Sequence, residues 1–178
     1  SRLHRPPALV VTDSQAFAKV ASDTPADVQL TSFSILFSRY RGDLMTQVAG
    51  TLAAENLKPG DRVLVAEACS HHPIGDDIGR VKIPQWLNEY IGGELTYTTI
   101  QSHDFPDDIS SYKLVIHCGA CMINRREVLN RIMKCRRAGI PITNYGLVIA
   151  YSLGIFERAL GPFPAALELY HRLRRRSL

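Results

Sequence analysis

Cys69-Ser70-His71 and, 45 residues further on, His117-Cys118-Gly119-Ala120-Cys121 gather three of the four cysteines and two of the six histidines of this 178-residue chain into two short clusters. Thiolates are soft ligands, and three of them with imidazole nearby make a metal site. That softness narrows the metal to zinc or an iron–sulfur cluster. Cys118 and Cys121 also have the spacing of a thiol–disulfide redox pair. Haem attachment of the c type needs a His directly after the second cysteine, where Met122 stands, and a four-cysteine zinc site needs a second close pair that the chain does not have. What remains is three thiolates with one further ligand or one open position. Three readings stay open: an iron–sulfur site, a zinc-stabilised interaction module, and a redox domain using Cys118 and Cys121.

Candidates for the further ligand are His71, His72 and His117, each of which is also a candidate donor to a ligand sulfur. Glu67, Asp76 and Asp104 are oxygen-donor candidates. Cys135 is set apart from the site. It lies seven residues after Val128 and three after Ile132, which places it on the apolar stripe of a helix as a buried structural thiol. The loop 70–80, polar and glycine-containing, is of the functional kind. Asn144-Tyr145-Gly146 follows a strand and is placed on the same edge as the cysteines, with turn or core roles explaining it equally well. The chain has no phosphate-binding loop of the Gly-x-x-x-x-Gly-Lys-Ser/Thr type and no Gly-x-Ser-x-Gly elbow, so these residues carry neither of those chemistries.

Each cysteine cluster directly follows a short apolar run that reads as a buried strand, Arg62-Val63-Leu64-Val65-Ala66 before the first and Lys113-Leu114-Val115-Ile116 before the second. In a parallel α/β sheet the carboxyl ends of the strands share one edge, where ligands bind, so distant clusters can meet there. The rest of the chain keeps that alternation. Strands are expected at 8–11, 28–33, 62–67, 95–100, 113–117 and 141–143. Helices are expected at 16–21, 44–52, 83–91, 125–137, 147–153 and from 164 to 175. Thr12-Asp13-Ser14, Asp43 and Asn124 offer helix caps, and Gly92 and Gly139 offer stops. Arg39-Tyr40-Arg41-Gly42-Asp43 breaks the pattern and is the expected domain boundary. The fold class is therefore α/β, a mainly parallel sheet flanked by helices, with a partial second α/β segment at the N-terminus.

Hydrophobic residues make up 46% of the chain and charged residues 21%, ordinary values for a globular protein. The length suffices for a core without a stapling metal, and the uneven cysteine spacing does not read as a disulfide framework; reduced, cytoplasmic thiols fit better. No apolar run approaches a membrane span and no signal peptide is expected. The net charge of +4 owes much to Arg172-Leu173-Arg174-Arg175-Arg176. That run reads as a solvated helix end suited to the C-terminal dipole, not as a nucleic-acid surface, because no aromatic residues interleave with it.

Together these motifs resemble the HydF family, the GTPase scaffolds of [FeFe]-hydrogenase maturation. The likeness rests on Cys-x-His and His-Cys-x-x-Cys with their 45-residue spacing. It rests also on the flanks 67–80, on Cys118-Gly119-Ala120-Cys121-Met122 with Asn124-Arg125-Arg126-Glu127, and on Ile140-Pro141-Ile142-Thr143-Asn144-Tyr145-Gly146. It runs from about Ala8 to Tyr170. The resemblance implies that residues 1–38 are the end of a dimerisation domain and 39–178 an iron–sulfur domain. The GTPase part of the family is not represented, so GTP binding belongs outside this chain and no enzymatic activity is expected of it. The resemblance further implies a [4Fe–4S] cluster held by Cys69, Cys118 and Cys121 with an exchangeable fourth position, and a di-iron precursor made by radical-SAM maturases, loaded and then delivered to the apo-hydrogenase. It also implies homodimerisation of the longer protein.

Overall fold

The structure, a computed structural model, describes Arg5 and residues 7–14, 16–68, 77–101 and 104–177. An N-terminal segment pairs β1 (Leu9–Thr12) with β2 (Gln29–Ser32) in parallel around α1 (Phe17–Asp23). The expected caps at 12–14 are not used. The residue at the start of α1 is Ala16, with no side-chain cap bond. β2 passes straight into α2 (Phe33–Arg41), where the strand was expected to run on to position 33. The reason is local: Ser32 Oγ accepts from Ile35 N at 3.3 Å, and this cap turns the chain helical one residue after the strand. α2 runs past position 38 to Arg41, and Gly42 separates it from α3 (Leu44–Leu52), capped by Asp43 as expected.

Beyond a 3₁₀ turn (Ala53–Asn56) comes β3 (Arg62–Ala66). A π-helical turn (Ile78–Lys82) leads into α4 (Ile83–Ile91), with Pro84 in the first turn, where its missing N–H costs nothing. Then follow β4 (Thr96–Ile100), β5 (Leu114–His117), α5 (Arg125–Ala138), β6 (Ile142–Asn144), α6 (Tyr145–Ser152), α7 (Phe156–Leu160) and α8 (Pro164–Ser177). α7 is a helix that the sequence pattern does not reveal. β4, β3, β5 and β6 form a parallel sheet in that order, which confirms the α/β architecture.

The central strands are buried on both faces. Val63 and Val65 join the core that holds α4, α6 and the N-terminal Phe17, Leu30 and Ile35; Leu64 and Ala66 face Val128, Ile132 and Cys135 of α5. This two-sided burial is why these strands read as continuous apolar runs. Arg158 of α7 fastens the N-terminal segment further, donating to the carbonyls of Ala21 (2.7 Å), Thr24 (2.8 Å) and Pro25 (2.7 Å). Among the described residues, no helix is long and apolar enough to cross a membrane.

The strand order positions the site. From β3 the chain moves outward to β4, then returns to add β5 on the other side of β3. The carboxyl ends of β3 and β5 therefore flank the point where the winding reverses, the place where open α/β sheets bind ligands.

Candidate functional site

β5 ends at His117, opposite Ala66 of β3, and Cys118 N extends the ladder by donating to Ala66 O at 2.9 Å. Cys118 is thus fixed one residue beyond the strand, half-buried at the reversal point. Its Sγ accepts from two backbone amides, Ala68 N at 3.1 Å and Ala120 N at 3.4 Å. Amide donors aimed at a sulfur favour its charged form, the form that binds metal. The second amide is delivered by an unusual backbone. Ala120 is buried at φ +57, a left-handed conformation that a non-glycine residue keeps only where its surroundings hold it.

Cys121 is exposed, and it lines the same cavity of about 260 Å³ as Cys118. Asp13, Ser14, Phe33, Ser34 and Phe37 of the N-terminal segment form one side of that cavity. Glu67, Asp77, Gly79 and Tyr145 contribute from the sheet edge and α6. Cys118, Cys121 and Cys135 all stand outside disulfides. Cys69, His71, His72 and Asp76 lie outside the described residues. Cys69 is the next residue in the chain after Ala68, whose amide reaches Cys118 Sγ. Among the described residues, no three of His, Cys, Asp and Glu come together as a metal site. The donors that are described, one amide-bonded sulfur and a second thiol on the same cavity, suit a sulfur-ligated metal and suit a hard, oxygen-liganded ion poorly.

His117 is placed differently from the cysteines. It is buried beside Arg131 of α5, with Nδ1 at 2.8 Å from Cys118 O and Nε2 at 3.1 Å from Arg131 Nη1. These partners assign the neutral ring with its proton on Nδ1, donating to the carbonyl, while Nε2 accepts from the guanidinium. Both nitrogens are thereby engaged, so His117 supports Cys118 through its carbonyl instead of presenting a lone pair to a metal. Burial, reinforced by the Arg131 charge, lowers its pKa to about 4. Arg131 is in turn paired with Glu127 at 2.8 Å, one helical turn earlier.

Glu67 is half-buried just past β3. Its Oε1 accepts from the Tyr145 hydroxyl at 3.3 Å, and its Oε2 accepts from Gln101 Nε2 at 3.2 Å and lies 3.4 Å from Arg80 Nη2. Burial and the neighbouring negative groups Glu67, Cys118 and Asp77 raise the Tyr145 pKa well above its usual value, so the hydroxyl stays protonated as a donor. Gly79 allows this approach: a Cβ there would stand 2.0 Å from Tyr145 Oη. Cys135 is fully buried on α5 beside Val128 and Ile132, its thiol pushed up to about 12 by burial.

The residues that sequence reasoning overlooks come from α2. Ser34 accepts Gly146 N on its Oγ (3.1 Å) and Asn144 Nδ2 on its carbonyl (2.8 Å), which locks α2 against the start of α6. At the other end of α2, half-buried Arg41 reaches the cysteine loop, where its Nη1 lies 2.9 Å from Ala120 O, 2.7 Å from Cys121 O and 3.0 Å from Ile123 O. The motif Asn144-Tyr145-Gly146 signals one half of this contact, since it lies on the cysteine edge as its position after a strand requires.

Comparison with protein-family models gives two matches. Residues 45–162 match the hydrogen maturase F tetramerization domain, and residues 1–42 match the hydrogen maturase F dimerization domain. Both describe self-association domains, and neither describes a catalytic one. A comparison with curated proteins gave no match.

Proposed function

The chain belongs to the hydrogen maturase F family of hydrogenase maturation, and we propose that within it this chain is the part that carries an iron–sulfur cluster and a metal cargo. Cys69, Cys118 and Cys121 would hold a [4Fe–4S] cluster. Three protein thiolates leave one of its irons open to an external ligand, which is the chemistry the group supplies here. The cargo is a di-iron precursor of the hydrogenase active site, received from radical-SAM maturases and passed to the apo-hydrogenase. The chain's own residues shape the seat. The amides of Ala68 and Ala120 stabilise a charged Cys118 sulfur, His117 braces Cys118 through its carbonyl, and Phe33 and Phe37 line the cavity with apolar surface. Glu67, held by Tyr145, is an oxygen donor on the wall of the same cavity.

The observation that carries this reading is the Cys118 sulfur at the reversal point, bonded to two amides and sharing a cavity with Cys121. One common support of a redox dithiol, a helix N-terminus at the pair, is not what this pair has: α5 begins at Arg125, beyond Cys121, and its first turn is capped by Asn124. The test is anaerobic reconstitution with iron and sulfide, then electron paramagnetic resonance of the reduced protein. The cluster signal is expected to vanish or change in Cys69→Ala, Cys118→Ala and Cys121→Ala and to persist in Cys135→Ala. A normal signal in Cys69→Ala, or a colourless zinc protein without acid-labile sulfide, overturns the reading.

A further inference from the structure

Arg41 has no role in the seat just described, yet it makes three polar contacts to the cysteine loop. We infer that Arg41 is the positioning residue of that loop, and that through it the N-terminal segment sets the geometry of Cys118 and Cys121. The relevance to a cluster rests on the reading of these cysteines as ligands; the positioning itself does not.

Three carbonyls of one short loop, those of Ala120, Cys121 and Ile123, converge on Arg41 Nη1. Carbonyl dipoles pointing at one spot repel each other, and a cation at that spot turns the repulsion into attraction. The convergence goes with the left-handed Ala120, a conformation disfavoured for a residue with a Cβ. The same backbone turn aims Ala120 N at Cys118 Sγ and leaves Cys121 on the cavity wall. Removing the guanidinium therefore removes the partner that holds the turn, and with it one of the two amides on the Cys118 sulfur. Arg41 is also the last residue of α2, whose first turn is tied to Asn144 and Gly146 through Ser34. A single helix of the segment that matches the dimerization domain thus touches both sides of the site.

The test compares wild type with Arg41→Met, which keeps an apolar stem to pack on Phe37, whose ring centroid lies 5.2 Å from the Arg41 guanidinium carbon, and removes every donor. In anaerobically reconstituted protein, iron release to a chelator is expected to accelerate on the order of tenfold, the effect of losing one hydrogen bond from a charged donor. Added methylguanidinium is expected to restore part of the difference. In metal-free protein, hydrogen exchange at residues 118–123 is expected to accelerate while the strands β3 and β5 keep their protection. Unchanged release together with unchanged exchange in the folded variant overturns the inference. So does global unfolding of Arg41→Met, which would make Arg41 a general stabiliser. If wild type takes up no cluster, the proposed function fails, and the exchange comparison still decides for or against Arg41.

Discussion

His117 turns a buried imidazole into a measurable pH dependence of folding. In the native state its pKa is lowered from 6.5 to about 4, chiefly by burial, which outweighs the opposing hydrogen bond to the Cys118 carbonyl; the facing Arg131 charge adds a smaller lowering and Glu127 a still smaller opposing effect. In the unfolded chain it takes up a proton near pH 6.5; in the native chain it does so only near pH 4. Between those values the unfolded state binds more protons, so acidification favours unfolding. The contribution of neutral His117 is fully present above about pH 6.5, falls as pH drops, and levels off below about pH 4. A gap of about 2.5 units at about 1.4 kcal/mol each makes the full loss roughly 3 kcal/mol. Urea unfolding of the metal-free protein, followed by circular dichroism from pH 7.5 to 4.0, measures it. His117→Gln is the reference. Its amide does not titrate, and it shares every other group, so the difference between the two stability curves isolates the imidazole. That difference should shift against wild type by most of this amount between pH 6.5 and 4. Parallel curves would refute the buried, neutral assignment of His117 and with it the Arg131–His117–Cys118 chain of contacts.

Gly79→Ala should displace the Tyr145 hydroxyl from Glu67, because the new Cβ would meet Tyr145 Oη at 2.0 Å and Glu67 Oε1 at 2.8 Å. The expected loss is about 1–3 kcal/mol in urea unfolding, and it should shrink in a Tyr145→Phe background; an unchanged loss there would place the clash elsewhere. Cys135, fully buried with its thiol pushed up to about 12, should resist iodoacetamide in the native protein while exposed Cys121 is alkylated. Peptide mapping that shows comparable labelling of the two would contradict the placement of α5.

The elements that sequence made legible are those whose information is local. α5 carries its own cap at Asn124, its own stop at Gly139 and an apolar stripe at Val128, Ile132 and Cys135, and it forms at Arg125–Ala138. β3 and β5 are buried on both faces and so appear as uninterrupted apolar runs. α2 is hidden because Phe33-Ser34-Ile35 alternates apolar and polar as a strand does, after a slip in phase at Thr31-Ser32, and the Ser32 cap looks the same as any serine. α7, five residues long, is shorter than the periodicity by which a helix is recognised. At the site, residue type marked the cysteines, and strand order brought Cys118 to the edge. Nothing in the sequence marks Arg41, whose partners lie 79 to 82 residues further on and are backbone carbonyls. His117 is the opposite case, left open by sequence between a ligand and a supporting group. Its type suggests a ligand, while its surroundings, which only the folded chain supplies, commit both nitrogens elsewhere.

Arg158 grips Ala21, Thr24 and Pro25 by their carbonyl oxygens alone. A carbonyl is the same group whatever side chain hangs beside it. At this contact the joint between the N-terminal segment and the rest of the molecule reads backbone path and a guanidinium at 158, and identity is demanded elsewhere, at buried Phe17, Ala21, Leu30 and Ile35. An N-terminal piece grafted from a divergent homologue would keep the Arg158 contacts wherever its main chain followed the same course, provided that it also filled the core positions of Phe17, Leu30 and Ile35.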